Sequence, residues 1–224
     1  MISECFVTFA TLYFTMKVLI IGARADGHAK VVLEILQAMK HIVVGFIDDN
    51  VSKKGNKIRG IPILGTMSEI KNISKKYRAT GAIIAIGDNP MRRKLSAEIE
   101  KAGLNLVNAI HPTVHFDSDV IIGKGCYIGQ GVIIITGTKI GNCANIHTGA
   151  TIDHDNVIED GANLGPGVHT AGRVKIGRDA ILGTGAIVIP DGVVESGATV
   201  GAGAVVIRTV KANTKVVGVP AREK

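Results

Sequence analysis

The chain has 224 residues, enough for two modest domains that each bury a core of their own. Its net charge of +7 and pI near 9.4 call for anionic partners, but no run of Lys and Arg with interleaved aromatics occurs, which argues against nucleic acid and toward small anions. Aromatic residues make up 4% and Trp is absent, which excludes a core stacked around rings and favours one packed with Ile, Val and Ala.

Residues 1–15 are rather apolar from Ile2 to Thr15, yet they lack a basic leader region and an A-x-A-like cleavage site, and the stretch is too short to span a membrane. Met16, followed directly by Lys17-Val18-Leu19-Ile20-Ile21, resembles a natural start, so 1–15 is expected to be either an upstream extension or an ordered extra segment. Cys5, Cys126 and Cys143 form no CxxC pair and read as reduced packing residues, which sets the expected compartment as the cytoplasm.

From Met16 to about residue 110 strand and helix patterns alternate. Val18–Ile21 is a predicted strand, Gly22 to His28 a glycine-containing loop, and Ala29–Met39 a helix with apolar residues at 31, 32, 35, 36 and 39. Val43–Ile47 is a second strand ending in Asp48-Asp49. Ala82–Ile86 is a third, closed by Gly87-Asp88-Asn89-Pro90, after which Met91–Lys101 reads as a helix stopped by Gly103. The stretch between Asn50 and Gly81 receives no assignment. Alternation of this kind implies a small parallel sheet, and ligands of such sheets collect beyond the carboxyl ends of the strands, here Gly22 to His28, Asp48-Asp49 and Gly87. The loop before the first helix offers backbone N–H groups and a positive helix end to a phosphate. The loop is not a GxGxxG fingerprint, and Gly22 and Gly27 alternatively only make a tight turn.

From residue 111 to 224 a different rule holds. Every sixth residue from Phe116 to Val206 is apolar except Thr170. A helix repeats near 3.6 and a half-buried strand near 2, so a period of 6 sustained over this length predicts a parallel β-solenoid of short strands, three hexads to a coil and about five coils. Two residues before the apolar position stands a small or β-branched residue (Ala144, Ala150, Ala162, Val174, Ala180), so the interior corner is predicted to be tight. Gly often follows the apolar residue, where either positive φ or close backbone approach is expected.

Five stretches, IIGARADGHAKVV (20–32), GFIDD (45–49), AIGDNPMRRKL (85–95), GATIDHDNVIEDGANLGPGVHTAGRVKIG (149–177) and GVPA (218–221), resemble the bacterial nucleotide-sugar N-acetyltransferases and sialic acid O-acetyltransferases, over nearly the whole chain from Met16. The resemblance implies a Rossmann-like α/β domain (16–110) that binds a nucleotide sugar, followed by a hexapeptide-repeat left-handed parallel β-helix (111–224) that carries acetyl transfer. The handedness comes from the resemblance alone. It also implies acetyl-CoA as co-substrate, a homotrimer with active sites between neighbouring β-helices, and an amino sugar acceptor, a 4-amino-4,6-dideoxy sugar of a surface glycan in the leading reading. O-acetylation of sialic acid is the alternative.

Residue by residue, the resemblance places the general base at His154, with Asp155 setting its tautomer; an imidazole suits this role because its ordinary pKa lies nearest neutrality. Its place two residues after Ile152 puts it at an exposed corner. Acetyl-CoA is expected along Thr184 and Ala202, stacked 18 residues apart, with Asn163 near the acetyl group. His147, assigned to the substrate, and Asn163 are departures: the family commonly has Asn and His there respectively, which leaves the acceptor open. In the first domain Asp26, Gly27 and His28 are assigned to phosphates, Asp48 and Asp49 to the nucleoside, and Gly87 to close approach. The loop is longer than the family's commoner form, and Arg24 is either a charge-assisted phosphate contact or a solvated loop residue.

Zinc carbonic anhydrases share the hexad solenoid, and His147, His154 and His169 could suggest a metal. Their spacings of 7 and 15 are not multiples of the coil, so they are not expected to converge, and no metal is predicted. A non-catalytic scaffold is disfavoured by the His154-Asp155 pair. No membrane insertion is expected.

Overall fold

A computed structural model describes residues 15–23 and 27–224 of the chain. They fall into two compact units that divide between Pro112 and Thr113. The predicted extension, apart from Thr15, and the loop residues Arg24 and Asp26 lie outside the described residues.

The first unit is a parallel sheet with helices. Its elements are β1 (Lys17–Ile21), α1 (His28–Ala38), β2 (Ile42–Ile47), β3 (Lys57–Ile58), β4 (Ile61–Gly65), α2 (Ile70–Tyr77), β5 (Gly81–Ile84), α3 (Asn89–Lys101) and β6 (Asn105–Leu106). The strand order is β3-β4-β2-β1-β5-β6, parallel except for the β3/β4 pair. β1 reads as continuous aliphatic because a central parallel strand is covered on both faces. Leu19 and Ile21, with Ile47, Ala82 and Ile84, pack against Ile70 and Ile73 of α2 and Leu95 and Ile99 of α3. Val18 and Ile20, also fully buried, point to the opposite face, where α1 buries Val32, Leu33, Ile35 and Leu36. Each such side chain contributes about 1.5–3 kcal/mol.

Two boundaries differ from the sequence expectation for physical reasons. Asn89 and Pro90 belong to α3 rather than to the preceding turn: Asp88 is the cap, its Oδ1 accepting from the Met91 N–H at 2.8 Å, and Pro90 sits in the first turn, where a missing N–H costs nothing. β3, β4 and α2 fill the unassigned stretch.

In the second unit each two-residue strand ends on the apolar residue of the hexad. Residues 18 apart pair in parallel: Ile134 with Ile152, Ile152 with Thr170, Ile140 with Ile158, Ile146 with Leu164. Three sheets result. One contains Tyr127–Ile128, Asn145–Ile146, Asn163–Leu164, Ile181–Leu182 and Thr199–Val200; the second runs from His115–Phe116 through Thr151–Ile152 to Val205–Val206; the third runs from Ile121–Ile122 to Val193–Val194. This is the left-handed parallel β-helix. The apolar column and the small residues before it are almost fully buried, Ala144, Ala150, Ala162 and Ala180 at 0% exposure. Thr170 keeps its place in the column at 3% exposure, and its hydroxyl finds no hydrogen-bond partner among the described residues. After Val206 the period changes: Val200 pairs with Val216, and an antiparallel pair, Val216 with Glu223, closes the end.

The corners resolve the alternative left open for glycine. Positive φ occurs three residues after each apolar position, at every sixth residue from Gly125 to Gly203, all between +56° and +72°. The glycines directly after the apolar residue are there for close approach instead: a β-carbon on Gly177 would lie 2.5 Å from the Ser196 backbone nitrogen of the next coil. Asp155, Arg173 and Asp191 occupy the left-handed position at φ of 57°, 61° and 59°.

Candidate active site

The corner after Thr151–Ile152 carries His154 and Asp155. Asp155 Oδ2 lies 2.8 Å from His154 Nδ1, and Asp153 Oδ1 accepts from the His154 backbone N–H at 2.7 Å. The imidazole is 40% exposed, and its Nε2 makes no hydrogen bond among the described residues. With the Nδ1 proton directed at Asp155, Nε2 presents its lone pair outward. The turn is held from inside by Asn156, fully buried, whose Nδ2 donates to the carbonyls of Asp153 at 2.8 Å, His154 at 3.1 Å and Ala171 at 2.8 Å. Thr138 of the coil before, also fully buried, donates its hydroxyl to Asp153 O at 3.0 Å.

Stacked on this corner are groups that sequence reasoning did not single out. Gly172 lies beneath the ring. Arg173, one coil beyond Asp155, donates its backbone N–H to His154 O at 2.9 Å. Its Nε and Nη2 bond both carboxylate oxygens of Asp191 at 2.7 and 3.0 Å. The hydrogen bonds and charge of Arg173 hold the Asp191 carboxyl below its ordinary range, with His154 adding to the effect. The signal for Asn156 was available: with Thr138 it puts a polar residue into the small-residue slot otherwise filled by Ala, Val, Cys or Gly. Arg173 and Asp191 could have been found by adding 18 and 36 to 155.

His147, Asn163, Thr184 and Ala202 belong elsewhere in the coil. His147, Thr184 and Ala202 sit at the corner that follows the first sheet, whereas His154 follows the second, so one chain does not bring all of these residues to a single edge. His147 Nε2 lies 3.3 Å from Asn163 Oδ1, so the two departures from the family pattern are partners of one another. The His147 ring also tilts against Tyr127, centroids 5.2 Å apart, and burial pushes the Tyr127 hydroxyl up. Thr184 and Ala202 are both exposed, and Thr184 O accepts from the Gly203 N–H at 2.8 Å.

In the first unit a cleft of about 220 Å³ opens at the carboxyl ends of β1 and β2, lined by Gly22, Asp48, Asp49, Asn50, Met67 and Ile86 among others. Gly22 has φ +100° and no room for a β-carbon, which would meet Ile86 at 2.9 Å. Asp48 is well engaged: it accepts from the N–H groups of Ala23 and Asn50, both at 3.0 Å, and from Lys53 Nζ at 2.8 Å. Burial alone would raise its pKa; these partners outweigh it and bring the carboxyl below its usual range. Asp49 Oδ1 accepts from Met67 N–H at 2.8 Å. Gly27 caps α1 with φ −137° and His28 is the first residue of that helix. A β-carbon on Gly87 would meet nothing within 4 Å, so the backbone there is open to close approach.

A small parallel-sheet domain followed by a hexad β-helix with a His–Asp pair at an exposed corner is the architecture of a hexapeptide-repeat acyltransferase with an added α/β domain. Residues 17–99 match the PglD N-terminal domain. The chain is similar to a variant of perosamine N-acetyltransferase from Caulobacter crescentus solved with CoA and GDP-perosamine: 36% identity, TM-score 0.87, covering 93% of this chain and 96% of that one. It is also similar to the acetyltransferase domain of PglB from Neisseria gonorrhoeae solved with acetyl coenzyme A, at 29% identity and TM-score 0.84, covering 94% of this chain and all of that one. An uncharacterized protein L142 of Acanthamoeba polyphaga mimivirus is 33% identical over 118 residues, 53% of this chain; the chain spans only 22% of that curated relative. The chain belongs to the PglD-like family of nucleotide-sugar acetyltransferases.

Proposed function

We propose that the protein transfers the acetyl group of acetyl-CoA to the amino group of a nucleotide-linked amino sugar, a 4-amino-4,6-dideoxy sugar of bacterial surface glycan synthesis, with His154 as general base. The observation that carries this reading is the 2.8 Å contact of His154 Nδ1 with Asp155, which leaves Nε2 as a proton acceptor at an exposed corner. Nε2 takes the proton of the sugar amine as its nitrogen attacks the thioester carbonyl. The C–S bond then breaks, and the departing thiolate takes the proton from the imidazolium. Asp155 stabilises that imidazolium and fixes the ring. The cleft beside Asp48 and Asp49 is the proposed seat of the nucleotide, with Gly27 and His28 at the start of α1 toward its phosphates. Arg24 and Asp26 are proposed for the same phosphate region on resemblance alone.

Asn163, Thr184 and Ala202 are proposed as the coenzyme edge, with His147 beside Asn163 toward the acceptor sugar. A homotrimer would set that edge of one protomer against the His154 edge of its neighbour. Because both co-substrates are cytoplasmic metabolites, the reaction would run in the cytoplasm; no helix among the described residues is long and apolar enough to cross a membrane.

The test is thiol release from acetyl-CoA with a panel of nucleotide 4-amino-4,6-dideoxy sugars and with sialic acid. His154→Ala is expected to keep its fold and its coenzyme binding while losing roughly 10²–10⁴ in turnover on the amino sugars. Turnover near that of the native protein would remove His154 from the mechanism, and turnover with sialic acid alone would replace the acceptor.

A further inference from the structure

Asp155, Arg173 and Asp191 form a column of alternating charge. They stand 18 residues apart, so the β-helix stacks them, and all occupy the left-handed corner position. That position suits glycine and tolerates Asp, but an arginine there adopts a conformation its β-carbon disfavours. Arg173 accepts that conformation and spends two of its donors on Asp191, in a fork geometry that a lysine cannot reproduce. Its backbone N–H meanwhile bonds His154 O, tying the pair to the turn that holds the imidazole.

We propose that Arg173 and Asp191 are positioning residues for His154, an ion pair that balances the carboxylate of Asp155 and sets the charge the imidazole faces. This rests on His154 being the general base. The charged groups around the ring are Asp153 and Asp155 on its own turn, Arg173 on the next coil and Asp191 on the one beyond. Asp117 and Asp119 are also on this edge, bonded to the Thr136-Gly137 turn of the coil before His154. Arg173 is the cation of this set. Without it the surrounding carboxylates stabilise the imidazolium, and His154 holds its proton to higher pH. Without Asp191, Arg173 is no longer neutralised and the imidazolium is disfavoured.

The experiment is an NMR titration of the His154 Cε1–H resonance in full-length protein labelled with ¹³C-histidine, assigned by its loss in His154→Gln and run at low salt. Arg173→Gln is expected to raise the midpoint by roughly 0.3–0.7 of a pH unit, the size an exposed charge pair supports, and Asp191→Asn to lower it by a similar amount. The double variant should return close to the native midpoint. Arg173→Lys should restore most of the titration, because the charge is kept; a purely structural guanidinium would not be replaced in this way. In 1 M salt the differences should shrink. The acid limb of kcat/KM should follow the same order. Midpoints within about 0.1 of native in both single variants, or shifts of the same sign, would overturn the proposal. If the midpoints move as expected while His154→Ala keeps its turnover, the base assignment fails and the charge coupling stands.

Discussion

The imidazole of His154 rests on backbone. A β-carbon at Gly172 would stand 2.3 Å from its Nε2 and 2.6 Å from its Cε1, inside any real contact. Gly172 is not needed for its own conformation, so alanine is tolerated by the chain and refused only by the ring. Gly172→Ala is therefore expected to leave the melting temperature within a few degrees of native while turning the imidazole off Asp155. A displacement of this size costs roughly 10–100-fold in kcat, with little change in the KM for acetyl-CoA. Steady-state kinetics beside thermal unfolding check this; an unaltered kcat would mean that the ring adjusts without leaving its productive position. His154 and Asp155 were legible in the sequence because the segment around them resembles the family's, and their distance from Ile152 placed them at a corner. Gly172 was not, because its reason for being glycine lies on a side chain one coil away.

At the scale of the element, the β-helix turn behaves as a unit secured from within. Asn156 donates to three backbone carbonyls on two coils; Asp153 O and His154 O also accept from the Thr138 hydroxyl and the Arg173 N–H, whereas Ala171 O has Asn156 as its donor among the described residues. Asn156→Ala leaves Ala171 O without a donor and removes one of two donors from Asp153 O and His154 O, and a loss of about 1–3 kcal/mol is expected. The midpoint of denaturant unfolding should fall accordingly, and turnover should fall with it because the same turn carries His154. A variant that keeps its stability would mean that Ala171 O finds another donor. The period of 6 made the strands legible almost to the residue, since a solenoid repeats one local environment. In the first unit β4 escaped detection because Pro62 sits in it, which ordinarily demotes a strand. The short helix α2 was missed although Thr66-Met67-Ser68-Glu69 spells a capping box, Glu69 Oε2 accepting from the Thr66 N–H at 3.0 Å. Handedness has no signature in the repeat, since the same inward column serves either sense of winding.

For the whole molecule, the distribution of outward aliphatic side chains bears on assembly. On the second sheet and the corner after it, Ile133, Ile187, Ile189 and Ile207 are each between 37% and 41% exposed, and Ile189 and Ile207 stack 18 residues apart. A row of this kind is costly against water and suits a symmetric contact between copies. It flanks the corner of His154, while Thr184 and Ala202 occupy another edge, so the proposed chemistry needs a neighbour to complete each site. With the trimer that the family resemblance implies, the native protein is expected to have a mass in solution of about three times the 23.5 kDa of one chain. Replacing Ile189 and Ile207 together by Asp should give a folded monomer, with an unchanged far-ultraviolet spectrum and turnover reduced at least 100-fold, because His154 would lose the opposing coenzyme edge. Light scattering after gel filtration, paired with the thiol-release assay, separates the alternatives. A monomer that retained full activity would show that one chain holds a complete site, and a variant still trimeric would place the contact on another face of the β-helix.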